Sequence, residues 1–224
     1  MGKYLIVGAS RGIGNAIFKT FHNSEECHTI SRSPIIDSEN HYELDVLSDE
    51  LPALDSLDGL VYCPGSINLK PINSLKEKDF QSDFEINVLG AVKVIRKYAS
   101  LLRKSENGSI VLFSTVAVAQ GMPFHASVSA AKAAVEGLMR SLSAEFAPKI
   151  RVNCIAPSIT NTSLASGILR NESSIQNAKE RHPLKQIIEP DEIAAMATFL
   201  LSDKSKNITG QVIGIDGGLS KVKL

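Results

Sequence analysis

Gly8-Ala9-Ser10-Arg11-Gly12-Ile13-Gly14 is the run with the clearest chemical potential in this chain of 224 residues. Its G-x-x-x-G-x-G spacing permits a tight turn and frees backbone N–H groups to face an anion. An apolar run precedes it and a helical pattern follows, so the turn would open a helix whose N-terminus stabilises a pyrophosphate. Ser31 and Arg32 follow the second apolar run, where a carboxylate would accept from ribose hydroxyls and cations would suit a ribose phosphate. With Arg11 in the loop and no Asp or Glu beside Arg32, the chain offers guanidinium forks for a phosphate. His125 adds an imidazole able to act as an acid near neutrality, although a satisfied or exposed histidine is the plainer reading.

Those groups need a scaffold, and the hydrophobic pattern describes one. Strand-like runs cover Tyr4 to Val7, Cys27 to Ile30, Tyr42 to Leu44, Leu60 to Tyr62, Ile110 to Phe113, Val152 to Ile155 and Val212 to Ile215. Helical periodicity lies between them, over Gly12 to Phe21, Phe84 to Leu102, Ser127 to Phe146 and Asp191 to Leu201, the last announced by Pro190, Asp191 and Glu192. Alternating strands and helices predict an α/β fold: a Rossmann-type doubly wound sheet of about seven parallel strands flanked by helices, in a single domain over residues 1–224. Ser31 to Asn40, with Pro34 inside it, is too short for a crossover helix and reads as a loop or a single turn.

Composition removes several classes of function. Lys+Arg and Asp+Glu each number 24, so the net charge of zero provides no field for nucleic acid or an anionic membrane. No apolar run reaches the roughly 18 residues of a bilayer span, and the start of the chain has no signal-peptide pattern, which predicts a cytoplasmic protein. Cys27, Cys63 and Cys154 form no metal-ligand or disulfide pattern and are expected as buried thiols, with no metal site.

The loop resembles the T-G-x-x-x-G-x-G motif of the short-chain dehydrogenase/reductase family, with Val7 in place of the usual threonine, and further matches follow in family order. Tyr62-Cys63-Pro64-Gly65 stands where the family has N-N-A-G, retaining only the glycine. Arg151-Val152-Asn153-Cys154-Ile155-Ala156-Pro157 is similar to R-V-N-x-I-x-P, and Thr209-Gly210-Gln211 with Asp216-Gly217-Gly218 to the closing T-G-Q and D-G-G. The resemblance implies cofactor contacts from Gly8, Ser10, Arg11, Gly12, Ile13, Gly14, Ser31, Arg32, Asp45, Val46, Cys63, Pro64, Gly65, Asn87, Lys132, Pro157, Thr160 and Thr162. With the arginines above it implies NADPH in preference to NADH.

The resemblance also implies hydride transfer to a carbonyl, imine or activated double bond of a small molecule, with Asn87, Thr115 and Lys132 in catalytic positions. Lys132 precedes the usual Ala133-Ala134-Val135-Glu136-Gly137, but four residues back, where the family has its proton-donating tyrosine, stands Val128. Thr115, thirteen residues further back with Ser114 beside it, keeps a hydroxyl that is far too weak an acid to replace a tuned phenol. The proton would then come from water, from the substrate or from a side chain such as His125. The alternative is a catalytically lapsed NADPH-binding sensor. The small-residue helix around Ala130 and Ala134, and the Phe84 to Leu102 helix, imply a homodimer or homotetramer.

Overall fold

The computed structural model describes residues 2–22, 25–35 and 38–223. Its strands are β1 (Lys3–Val7), β2 (Glu26–Ser31), β3 (His41–Glu43), β4 (Gly59–Tyr62), β5 (Gly108–Phe113), β6 (Ile150–Pro157) and β7 (Val212–Ile215). They form one parallel sheet in the order β3-β2-β1-β4-β5-β6-β7. The expected seven-stranded doubly wound architecture is therefore present. The winding reverses between β1 and β4, whose pairing sets Val7 opposite Tyr62, and the carboxyl ends of strands at such a reversal are where doubly wound sheets place their ligands.

Each face of the sheet carries its own core. In β1 and β4, Leu5, Val7, Leu60 and Tyr62 point to one side, where α3 (Gly90–Leu102) and α5 (Ala126–Phe146) contribute Val94, Tyr98, Val135 and Met139. Ile6 and Val61 point to the other, against Ile17 and Phe18 of α1 (Gly12–Phe21) and Ile193, Ala197 and Leu200 of α7 (Pro190–Leu201). Because both faces are covered, the central strands read in sequence as unbroken apolar runs. Among the described residues, no helix is long and apolar enough to cross a membrane.

Three expectations need correction. The helix expected over Phe84 to Leu102 is longer and divided: α2 (Glu77–Phe84) runs into a widened π turn at Glu85–Leu89 and then into α3. Its start is fixed by Asp79, whose carboxylate accepts from the Lys76 N–H at 2.9 Å. Two further helices show no helical stripe in sequence: α4 (Val116–Ala119) is a single apolar turn too short to display a period, and α6 (Glu172–Arg181) carries too few apolar residues. Cys63, which follows β4, is only partly buried, unlike Cys27 and Cys154. The short segment after β2 holds no helix among its described residues; Ile36 and Asp37 of that expected loop lie outside them.

Candidate active site

The glycine loop sits at the reversal point. The Gly8 N–H donates to the Ile30 carbonyl at 2.7 Å, and Gly8 and Gly12 have φ of +84° and +56°, a region that L side chains rarely enter. A Cβ on Gly8 would lie 3.1 Å from Pro64 and 3.3 Å from Cys63, and one on Gly12 would lie 3.3 Å from the Thr162 methyl. Loop, β4 end and post-β6 segment thus close around one cradle. Ser10 and Ile13 lie on it, with Arg11 exposed at the N-cap of α1.

Arg32 is also exposed, at the end of β2, and the Ser31 hydroxyl donates to the Ser33 carbonyl at 2.6 Å, shaping the turn that carries it. Asp45 accepts the Leu47 N–H at 2.9 Å, and its own N–H donates to Asp49 at 2.8 Å, so the carboxylate is partly engaged in a turn. The Val46 side chain is buried in the core, leaving its backbone as the part available to a ligand. Pro157 ends β6, Thr160 donates to the Ser158 carbonyl at 3.0 Å, and Thr162 donates to Thr160 at 3.4 Å.

Beyond the cradle, a Cβ added to Gly65 would stand 3.1 Å from Asn87 Oδ1 and 3.4 Å from Lys132 Nζ, so both groups converge on that glycine. Lys132 is the only lysine among the buried described residues and donates to the Phe113 carbonyl at 2.9 Å. Burial pulls its ammonium down to about 8, against opposing contributions from Cys154, Cys63 and Asp83. Asn87, 1% exposed, lies in the π turn, a feature frequent at functional sites. Its amide donates to the Asp83 carbonyl at 2.7 Å and to Ser66 at 3.3 Å, while Oδ1 is buried without a protein partner.

Thr115 and Ser114 separate clearly. Thr115 Oγ1 accepts the Ala117 N–H at 3.3 Å as the cap of α4, which leaves its hydroxyl proton available. Ser114 instead donates to Glu136 at 2.8 Å, and Glu136 is held by Arg140 at 3.0 Å. Val128 is buried on α5 one turn before Lys132. His125 bonds the Pro123 carbonyl at 2.7 Å and lines an open hollow with Lys70, Ile72, Met122 and Phe124, rather than the buried cluster.

Two arrangements escaped the sequence reading. Asp83 is fully buried and accepts from Ser66, Asn68 and Ser127. Its spacing of four from Asn87, which puts both on one helix face, was the available signal. His182, also buried, bonds Ser158 Oγ at 2.7 Å and the Ala178 carbonyl at 2.7 Å, tying α6 to the end of β6. Removing the imidazole strands both partners, so His182→Ala is expected to cost about 1–3 kcal/mol. A urea melt checks this, and an unchanged midpoint would contradict it.

A parallel sheet with a glycine loop at its reversal point and a buried lysine and asparagine beyond it defines a dinucleotide-type α/β oxidoreductase scaffold. The family described as enoyl-(acyl carrier protein) reductase matches residues 37–220, and the chain belongs to the short-chain dehydrogenase/reductase family of oxidoreductases. It is 37% identical over 146 residues to the 3-oxoacyl-[acyl-carrier-protein] reductase of Thermotoga maritima, a match spanning 65% of this chain but only 58% of that one. It is 30% identical over 246 aligned positions to the glucose 1-dehydrogenase of Gluconobacter oxydans, covering 97% of this chain and 91% of that one. The aldohexose dehydrogenase of Thermoplasma acidophilum, in ligand-free form, superposes with a TM-score of 0.90 at 24% identity, covering 100% and 96% of the two chains, and shares the fold.

Proposed function

We propose that this protein is an NADPH-dependent reductase acting on a carbonyl, imine or activated double bond of a small molecule. The observation that carries the reading is the continuity of the cradle: Gly8 against Cys63 and Pro64, Gly12 against Thr162, and Gly65 against Asn87 and Lys132. A side chain at any of these glycines would enter that space. When bound, NADPH supplies the hydride. Arg11 and Arg32 hold the ribose phosphate, with Ser31 shaping the turn, and Asp45 with the Val46 backbone lies at the adenine end. Cys63, Pro64 and Gly65 form the floor. Pro157, Thr160 and Thr162 flank the nicotinamide end, where Lys132 and Asn87 bind and Thr115 donates to the substrate oxygen. We place this activity in the cytoplasm.

We further propose a homodimer or homotetramer built on the α2 and α5 face, where Phe84 and Leu89 are 42% and 50% exposed beside Phe80, Ala130 and Ala131. The test of function follows NADPH oxidation by the native protein and by Val128→Tyr over one panel of ketones, imines and activated alkenes. Native turnover with at least one acceptor is expected. Val128→Tyr should raise ketone reduction by about 10²- to 10⁴-fold, the usual worth of a positioned acid. Turnover by Val128→Tyr alone would overturn the reading.

A further inference from the structure

We infer that Lys132 is itself the proton donor of this site, delivering to the substrate oxygen the proton that the side chain at position 128 cannot give. The inference rests on the reductase reading above. It follows from what each hydrogen-bearing group near the cluster is doing. Val128 presents only methyl groups. Thr115 can donate a hydrogen bond, but an alcohol does not release its proton at neutral pH. Ser114 is spent on Glu136 at 2.8 Å, and the His125 ring is tied to the Pro123 carbonyl at 2.7 Å in the hollow that it shares with Lys70 and Ala117. The Tyr62 phenol is turned away, donating to the Ile86 carbonyl at 2.7 Å, and burial pushes it up. Burial likewise pushes the Cys63 thiol up to about 12.

Lys132 differs from all of these. An ammonium has three N–H bonds, and one goes to the Phe113 carbonyl at 2.9 Å. The others remain for the space beside Gly65, where Asn87 Oδ1 also stands unpartnered and where a Cβ would press on Asn87 Oδ1 at 3.1 Å and touch Lys132 Nζ at 3.4 Å. The charged and titratable groups facing Lys132 are Asp83 from α2, Cys63 after β4 and Cys154 on β6. Glu136, one turn further along α5, is occupied by Ser114 and Arg140. None outweighs burial, which leaves Lys132 mostly protonated at pH 7 but able to let go, the condition a general acid must meet.

In the step itself, the substrate carbon takes a hydride from NADPH, oxidised to NADP⁺ in the exchange, and the C=O π pair moves to oxygen. One Lys132 N–H bond breaks, its electron pair stays on Nζ, and the proton forms the O–H bond of the alcohol. The neutral amine then takes a proton from water.

The deciding variant is Lys132→Arg, which keeps the positive charge and a donor for the Phe113 carbonyl but does not lose its proton at accessible pH. With NADPH raised until fluorescence titration shows the variant saturated, its turnover should fall by about 10²- to 10⁴-fold. Val128→Tyr/Lys132→Arg should recover turnover, because the phenol brings its own acid. Independently of turnover, NMR of protein labelled with [ε-¹³C]lysine should show a resonance, missing from Lys132→Arg, that titrates near pH 8. Native turnover should fall about tenfold per pH unit above that midpoint.

Native-level turnover by Lys132→Arg, or native turnover constant from pH 7 to 10, would overturn the inference while leaving the reductase reading intact. So would a double variant that binds NADPH yet stays as slow as Lys132→Arg, since Lys132 would then act by placement alone. No native turnover beside an active Val128→Tyr overturns both readings. Where Lys132→Arg does not fold, the native pH profile and the absence or presence of a lysine titrating near pH 8 decide.

Discussion

Gly14→Ala is expected to lower the melting temperature by roughly 5–10 °C and to weaken NADPH binding at least 100-fold. Propensity alone argues the other way, because alanine in a helix interior is favoured over glycine by about 0.5–1 kcal/mol. The close approach decides the sign. An added Cβ would lie 2.3 Å from the Gly8 carbonyl oxygen, 2.9 Å from its carbon and 3.2 Å from Ala9 Cα. All three are backbone atoms, so no side chain can swing aside; either α1 retreats from β1 or the loop opens. Overpacking of this kind costs about 1–3 kcal/mol, and in a chain of this size each kcal/mol moves the melting temperature by about 2–4 °C.

Binding should suffer further, because the displaced backbone is the same backbone whose N–H groups would face the pyrophosphate in the proposed reading. Gly137 in α5 is the control: nothing lies within 4 Å of its added Cβ, and Gly137→Ala should stabilise by about 0.5–1 kcal/mol without touching NADPH affinity. Calorimetry and fluorescence titration of both variants check the pair. A Gly14→Ala protein that binds NADPH normally would mean that the loop does not hold the phosphates.

How much of this was legible beforehand depended on the range over which each feature is determined. The glycine loop is local, since seven consecutive residues fix its turn, and the strands are legible because burial on both faces leaves continuous apolar runs. α2 was hidden because most of its residues are polar, with only Phe80 and Phe84 apolar, and its start depends on the Asp79 side chain. α6 buries only Ala178 and so shows no stripe, although its Asn171 cap, accepting the Ser174 N–H at 2.9 Å, is a recognisable start.

The site was harder, because its character arises across the sheet. Asp83 reads as a solvated charge until Ser66, Asn68 and Ser127 are seen to deliver donors from 17, 15 and 44 positions away. Lys132 reads as a surface lysine with an apolar stem until α5 lies against β5 and β6 and presents its amine to the Phe113 carbonyl. Sequence order placed Asn87, Thr115 and Lys132 in matching positions. Only packing shows that Thr115 keeps its proton available while its neighbour Ser114 is consumed.

The second large effect concerns cofactor choice. Arg32→Asp is expected to invert the proposed preference for NADPH over NADH, with the NADPH dissociation constant rising about 100-fold and that for NADH falling severalfold. In the wild-type chain the exposed Arg32 ends β2, on the turn set by the bond from Ser31 to the Ser33 carbonyl, and Arg11 is exposed at the start of α1. Charge-assisted hydrogen bonds to a phosphate are each worth roughly ten- to a hundredfold in affinity. A carboxylate at position 32 removes those from one arginine and adds repulsion, yet it can accept from the two ribose hydroxyls of NADH. Because both arginines face water, salt screens their contribution, so the wild-type preference should shrink between low salt and 0.5 M salt, and the variant's preference for NADH should shrink too as the carboxylate's repulsion is screened. Paired titrations with the two cofactors at both salt concentrations separate this from general attraction. If Arg32→Asp weakens both cofactors equally, Arg32 acts only through the overall field and the 2′-phosphate is held from Arg11, where Arg11→Ser would then show the inversion.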